Sequence, residues 1–446
     1  MEDQPEIIAQ HYAEAGLVEK SVAYWGKAGR RSAARSALAE AAAQIQKGVD
    51  QLALLPDSPE RQRQELGFLS ALGAALQAAK GYGALETGNA YSRARDLWEQ
   101  LGSPSEFLRV PYGQSVYYTV CGELDLALRL DDDLLRLSRQ RNDSAGLVLG
   151  HFSSGRNLLG AGRFASSRSY LEEAIALYDP ISHRSLVHQF GFHPRVSSQS
   201  LLGIVLFCLG FPDQGLASSD AAIAEARRLA HPPSLAQSLS LGARMLLLGG
   251  DNATLGERAD ELAALATEQG FPFWGALGAI FYGWVEVRNG DAAKGISLLR
   301  RGLAAYRATR AEQWMAHHVA LLARACEIAG EFEEAAFLLD DALKIVERTR
   351  ERWFEAELNR HKGQLLLQQR HSEAAEKLYC KAMSVAEEQE AKLWKLRAAV
   401  SLARLRLDQH RHAEARDLLA PVYDWFTEGF DTPDLREARA VLDELV

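Results

Sequence analysis

The sequence is short of the residues that build crosslinks, strands and membrane spans. Its 446 residues hold four cysteines, Cys121, Cys208, Cys326 and Cys380, with no C-x-x-C pair and no histidines at zinc-finger intervals. They read as small buried hydrophobes of a reducing compartment, which excludes a disulfide framework and a structural zinc site. Proline is scarce at 13 residues, and the Thr/Val/Ile mixture of strands is thin beside Ala, Leu, Glu and Arg. That composition favours an all-α chain. Basic excess is also missing: the net charge of −9 lacks the footprint of a nucleic-acid binder. The opening MEDQPEIIAQHYAEAG has no basic stretch followed by an apolar run, and the greasiest segment, LLGIVLFCLG at 201–210, is too short for a bilayer. The expectation is a soluble cytoplasmic protein with neither nucleic acid nor membrane as partner.

Catalytic patterns are absent as well. The fragment GLVEKS near the start lacks the second glycine of a phosphate loop, and no H-E-x-x-H, G-x-S-x-G or strand-linked G-x-G-x-x-G occurs. His317 and His318 are neighbours in a helical stretch and so point in different directions, poor for joint metal ligation. The pairs Glu333/Glu334 and Glu387/Glu388 suit solvated helix faces. The chain is expected to be no enzyme and to need no metal or cofactor.

What the sequence does contain is a period. Turn-like positions recur at Gly122, Gly162, Gly210, Gly250, Gly290 and Gly330, then at Arg370 and His410, always 40 apart except for the 48 between Gly162 and Gly210. Small residues keep a fixed frame around each turn, one followed by a second twelve later and a third seven further on. The triples are Gly155/Ser167/Ala174, Gly203/Gly215/Ala222, Gly283/Gly295/Gly302, Ala323/Ala335/Ala342 and Gly363/Ala375/Ala382, with weaker echoes at Ala75/Thr87/Ala94 and Gly29/Ala41/Gly48. Small side chains let paired helices approach closely, and a seven-residue step keeps two of them on one face.

This is the frame of a tetratricopeptide repeat, stretched from the usual 34 residues to about 40. The fold expected is an all-α, tetratricopeptide-like right-handed solenoid of antiparallel helix pairs, one unit over 1–446. Residues 1–18 make an incomplete first repeat: a helix at about 4–15 is the second half of a pair, followed by helices at 19–34 and 37–54. That arrangement fits either the C-terminal part of a longer polypeptide or a natural start in which the short helix is the cap. An inserted loop at 178–194 carries His183, His188 and His193, whose spacing of five suits capping and solvated loop roles rather than one metal-binding helix face. Aromatics recur at Trp274, Trp314, Phe354 and Trp394, either to fill the space between repeats or to stack on a ligand.

The residue after the first small position falls on the concave face in tetratricopeptide geometry. It is arginine in alternate repeats, at Arg156, Arg244, Arg324 and Arg404, with Trp284 between two of them and Arg360 and Arg397 on the same side. Fork-shaped guanidiniums along a groove suit an anionic partner. The competing reading pairs each with a nearby carboxylate, for example Glu286, Glu327 or Glu357, as a staple between repeats.

The stretches HYAEAGLVEKSVAYWGKAG, KGYGALETGNAYSRARDLWEQLG, LGFPDQGL, ATEQGFPFWGALG and ERWFEAELNRHKGQLLL resemble the C-terminal repeat region of large bacterial signalling proteins. There the array follows a class III adenylate/guanylate cyclase or DNA-binding domain and an AAA-type ATPase module. The long period also resembles the sensor superhelix of maltose-regulon-type transcription activators. The resemblance implies a scaffold or sensor that regulates an attached or associated ATPase or cyclase, and the arginines add that the protein, peptide or other partner in its groove is acidic or anionic. The alternative it implies is the sensing of a small-molecule inducer. The family's G-x-D-P-G after the long insertion is replaced here by Gly191-Phe192-His193-Pro194-Arg195, and the lysine/asparagine clamp of chaperone-binding arrays is unmatched.

Overall fold

Proline and glycine punctuate the helices from opposite ends. In a computed structural model that describes residues 4–35 and 37–445, Pro5, Pro59, Pro194, Pro212, Pro232, Pro272 and Pro433 each open a helix. The fixed φ of proline suits that position, and its missing N–H would have had no partner there. The periodic Gly122, Gly162, Gly210, Gly250, Gly290 and Gly330 all take positive φ, between 74° and 99°, just past a first helix. Arg370 and His410 take the same left-handed conformation at 66° and 61°, a strain of about 1–2 kcal/mol per side chain. The recurring turn is therefore a backbone requirement that glycine usually meets.

Between these stops run antiparallel pairs: Val18–Ala34 with Leu38–Leu52, Pro59–Lys80 with Leu85–Gln100, Arg109–Val120 with Leu124–Gln140, and Ser144–Gly160 with Phe164–Leu177. The series continues as Pro194–Leu209 with Pro212–Leu229, Pro232–Gly249 with Asn252–Gln269, Pro272–Arg288 with Ala292–Ala308, and Met315–Ile328 with Phe332–Thr349. It ends with Glu355–Gln368 and Ser372–Glu388, then Lys392–Asp408 and His412–Tyr423, with Pro433–Glu444 lying beyond. The expected helix at 4–15 is Pro5–Glu14, docked by Ser21 Oγ donating to Ala9 O at 2.9 Å. The chain is an all-α, tetratricopeptide-like solenoid, with no strand among the described residues.

Packing follows the small-residue frame. A Cβ placed on Gly283 would stand 2.9 Å from Leu299 N and 3.0 Å from Gly295 O, and one on Gly215 would stand 2.8 Å from Gly203 O. Backbone meets backbone at these crossings, and neither side can yield. Ala335, 1% exposed, holds the equivalent place in its pair. Ala335→Leu is expected to destabilise the array by about 1–3 kcal/mol through overpacking. An unchanged urea midpoint would show that the frame is misplaced.

The insertion at 178–194 folds against the array instead of standing in solvent. It forms the short helix Leu186–Phe190, and Phe192 stacks on Tyr112 at 5.4 Å. His193 caps the helix Pro194–Leu209 by accepting from Val196 N, and its Nε2 meets the Tyr178 hydroxyl at 3.1 Å. His183 Nδ1 accepts from Asp179 N, and its Nε2 lies 3.0 Å from Ser144 Oγ. Both rings are buried, so the capping role is present but the expected solvation is not. The His188 side chain lies outside the described residues. Trp314, Phe354 and Trp394 are buried in the core and Trp274 is half-buried, so these rings do fill inter-repeat space.

The winding is tight enough that one superhelical turn rests on the next. Val120 O accepts from Glu312 N at 2.7 Å, and Gly160 O accepts from Trp353 N at 3.1 Å. Arg397 reaches Leu248 O, and the Glu428 carboxylate accepts from Asp213 N and Gln214 N. Helices far apart in sequence thus share one apolar core that runs from Leu108 to Trp394.

Candidate functional site

The six arginines expected to line a groove are all engaged by this chain. Arg156 is buried over the rings of Phe152 and Tyr112, donates to Thr119 Oγ1 at 3.3 Å, and partly offsets the burial that pushes the Asp131 carboxyl up to about 6. Arg244 is 1% exposed: Nη1 lies 2.9 Å from His317 Nδ1, Nη2 lies 3.2 Å from His318 Nε2, and the guanidinium carbon stands 4.3 Å from the centre of the Trp314 ring. Arg324 pairs with Glu327 at 2.6 Å, and Arg404 with Glu437 at 3.2 Å. Arg360 and Arg397 share the buried Glu357, and Arg397 also binds Asp434 at 2.7 Å. Trp284 is half-buried against the core. Glu286, offered as a staple, pairs instead with Lys294.

An open groove at Arg244 is thereby corrected. The first helix two repeats later, Met315–Ile328, sits against it, so the space in front of Arg244 is filled by the protein itself. A burial this complete removes a guanidinium from any partner. Arg324 and Arg404, at 30% and 45% side-chain exposure, keep contact with solvent.

Open concave space remains in the first superhelical turn. A cavity of about 730 Å³ lies between the helices Val18–Ala34 and Pro59–Lys80, lined by Val22, Gly26, Arg30, Gly67, Phe68 and Ala71 among others. Val22, Gly26 and Arg30 are four residues apart and so share one helix face, as do Gly67 and Ala71. A second cavity of about 740 Å³ shares the walls Arg30, Ile45 and Ala71 and continues past Ala74 and Ala78. Its far wall comes from later repeats, through Phe190, Phe271, Phe273 and Trp274. Tyr82 packs edge-on against Phe273 at 5.5 Å, joining the two walls. Two adjoining cavities of this size together exceed what one small ligand usually fills and suit an extended one.

The frame that selected Arg156 and Arg244 passes through Arg30 too, which follows Gly29, the small residue of the first pair. Arg30 is exposed and lines both cavities. Sequence reasoning stopped at the stronger repeats and missed it. Arg109, which opens the helix Arg109–Val120, lies outside the frame, and only the winding brings it to the trough. Elsewhere Cys326, Glu331 and Glu334 stand close together, but Arg300 already pairs with both glutamates.

The fold is that of a tetratricopeptide-like helical-repeat protein, and its two largest cavities lie along the helices Val18–Ala34 and Pro59–Lys80. Among solved structures, the chain is similar to a Rap protein complexed with competence and sporulation factor, with a TM-score of 0.58 and 13% identity, covering 83% of this chain and 98% of that one. The apo form of the quorum sensor NprR from B. thuringiensis is a more distant likeness, with a TM-score of 0.45 and 14% identity over 82% of this chain and 99% of that one. In sequence, the chain is 26% identical over 408 residues to an uncharacterized protein of Rhizobium meliloti (strain 1021), covering 89% of this chain. The chain spans 39% of that relative's length. No family model matches. No helix among the described residues is long and apolar enough to cross a membrane.

Proposed function

We propose that the chain is a non-catalytic sensor array that takes a segment of a peptide or protein partner into the first-turn trough and regulates a signalling ATPase or cyclase attached to it or associated with it. The observation that carries this reading is a contrast within the array: the space in front of Arg244 is filled with the chain's own side chains, whereas that lined by Gly26, Arg30 and Ala71 on one side and Phe271 and Trp274 on the other is left open. The 39% span of the Rhizobium relative supports a role as one part of a larger protein. A similarly folded Rap protein is complexed with competence and sporulation factor, which supports occupancy by a signalling ligand.

Signal output follows from where the trough walls come from. One wall belongs to the first turn and the other to repeats that touch it again from the next, so an occupant bridging them favours the wound state over a looser one. A ligand shifts such an equilibrium only by its differential affinity for the two states. Mixed-sequence decapeptide pools, titrated against the purified chain, are expected to raise its thermal midpoint, since a ligand at a hundred times its Kd adds about 2.7 kcal/mol. Ala71→Trp, which fills the wall shared by both cavities, is expected to abolish that gain. A gain that survives Ala71→Trp undiminished would place binding elsewhere.

A further inference from the structure

The second cavity has an unusual charge balance for this chain. Its described lining contains two guanidiniums, Arg30 and Arg109, and no carboxylate, although the protein carries 59 acidic residues against 50 basic ones. On the neighbouring stretch of wall, Arg61 is paired with Asp57 at 2.9 Å and Arg63 with Glu106. Deeper in the fold Arg360 and Arg397 share Glu357. Arg30 and Arg109 have no hydrogen-bonding or ion-pairing partner among the described residues. Arg109 is the more constrained, because burial works against its charge and no carboxylate compensates, the Tyr91 phenol alone opposing the shift. A half-buried cation left without a counter-ion is costly, and an arginine fork is shaped to recover that cost from a carboxylate.

The same cavity offers an apolar wall and a closed end. Phe273 packs on Trp274 at 4.9 Å and on Tyr82 at 5.5 Å, while Phe271 and Trp274 keep part of their surface open. At Gly81 and Gly83 the two superhelical turns meet: a Cβ on Gly83 would stand 2.6 Å from Arg310 O, and one on Gly81 would stand 3.1 Å from Thr309 Cβ. A polypeptide lying in the trough has no passage between the turns at that point. It must stop there or turn out.

Building on the proposed peptide-binding role, we infer that the second cavity is a receptor for the C-terminal end of a peptide. The terminal carboxylate sits between Arg30 and Arg109, and the last apolar side chain lies against Phe271, Phe273 and Trp274. The upstream residues run back along the first cavity. A chain that stops at the closed end, rather than turning out, leaves its terminal charge beside the unpaired arginines.

The test uses three pools of N-terminally fluorescein-labelled octapeptides, each ending in leucine or phenylalanine. The first has a free terminal carboxylate, the second a terminal amide, and the third a terminal amide with glutamate as the penultimate residue. Fluorescence anisotropy with the full chain is expected to show the free-acid pool binding at least about tenfold more tightly than either amide pool, the scale of a charged hydrogen bond. Arg109→Gln is expected to bring the acid pool down to the amide level without moving the amide pools, at a thermal midpoint no lower than that of the wild type. Equal binding of acid and amide pools overturns the terminal-carboxylate inference but leaves a peptide-binding trough. Preference for the glutamate pool assigns the arginines to an acidic side chain and likewise overturns it. Acid-selective binding that persists in folded Arg109→Gln moves the anion site away from Arg109. Failure of all three pools to bind overturns the proposed function itself.

Discussion

Replacing Arg244 by alanine is expected to lower the stability of the array by about 2–5 kcal/mol, from the cavity it leaves and the two buried histidine acceptors that lose their donor. Burial pushes the guanidinium pKa down to about 10, yet at neutral pH it remains a cation. Burial first, and the Arg244 charge second, hold both His317 and His318 well below the usual histidine range, so both rings are neutral acceptors. Nearby, burial raises Glu351 to about 7 against the pull of hydrogen bonds from Trp314 N and Trp353 Nε1. Alanine removes the donor both histidines face and opens a cavity beneath Trp314. Arg244→Lys is expected to recover little, because an ammonium lacks the fork that reaches two rings at once. The measurement is the urea midpoint followed by circular dichroism. A loss under about 0.5 kcal/mol, the size of an ordinary surface change, would mean that the cluster is not a structural centre.

Glu357→Gln carries the second large expectation, a loss of about 3 kcal/mol at neutral pH. The carboxylate is 1% exposed, accepts from Arg360 Nε at 2.6 Å and from Arg397 Nη1 at 3.1 Å, and is the ion-pair partner of Arg360 among the described residues. Burial opposes its ionisation, but the charges of Arg360 and Arg397 outweigh that and hold its pKa far below the ordinary 4.5. A depressed folded pKa means that the native state binds fewer protons than the unfolded one. Its stabilisation is therefore complete above pH 4.5 and is lost as pH falls from there toward the folded value. The gap between wild type and Glu357→Gln is expected to be widest at pH 6–8 and to narrow below pH 4.5. A gap independent of pH would point to shape rather than charge.

Much of the fold was legible because repeat arithmetic is local. Positive-φ turns at Gly122 through His410 and close crossings at Gly203/Gly215 and Gly283/Gly295 depend only on neighbouring residues. The expected first helices at 19–34 and 37–54 differ from Val18–Ala34 and Leu38–Leu52 only at their ends. The site was less legible because it depends on winding, the sum of small rotations over many repeats. Arg30 and Arg244 occupy the same place in the frame, yet one faces an open trough and the other is enclosed by His317 and His318. The two histidines do point apart, as adjacency on a helix requires, but a guanidinium spans the difference. That third party comes from two repeats away and leaves no local trace.

Contact between superhelical turns also sets a schedule for the nascent chain. Repeat arrays usually complete each unit against its neighbour, so folding can follow the ribosome closely. Here Asp213 waits for Glu428, 215 positions later, and Leu248 for Arg397, 149 positions later. At about 5–20 residues per second, the first partner arrives some 10–40 seconds after its mate has emerged. During that interval the early repeats present an unfinished flank, and the trough, whose far wall includes Phe273 and Trp274, does not yet exist. The proposed ligand could therefore be bound only once synthesis has passed Trp274.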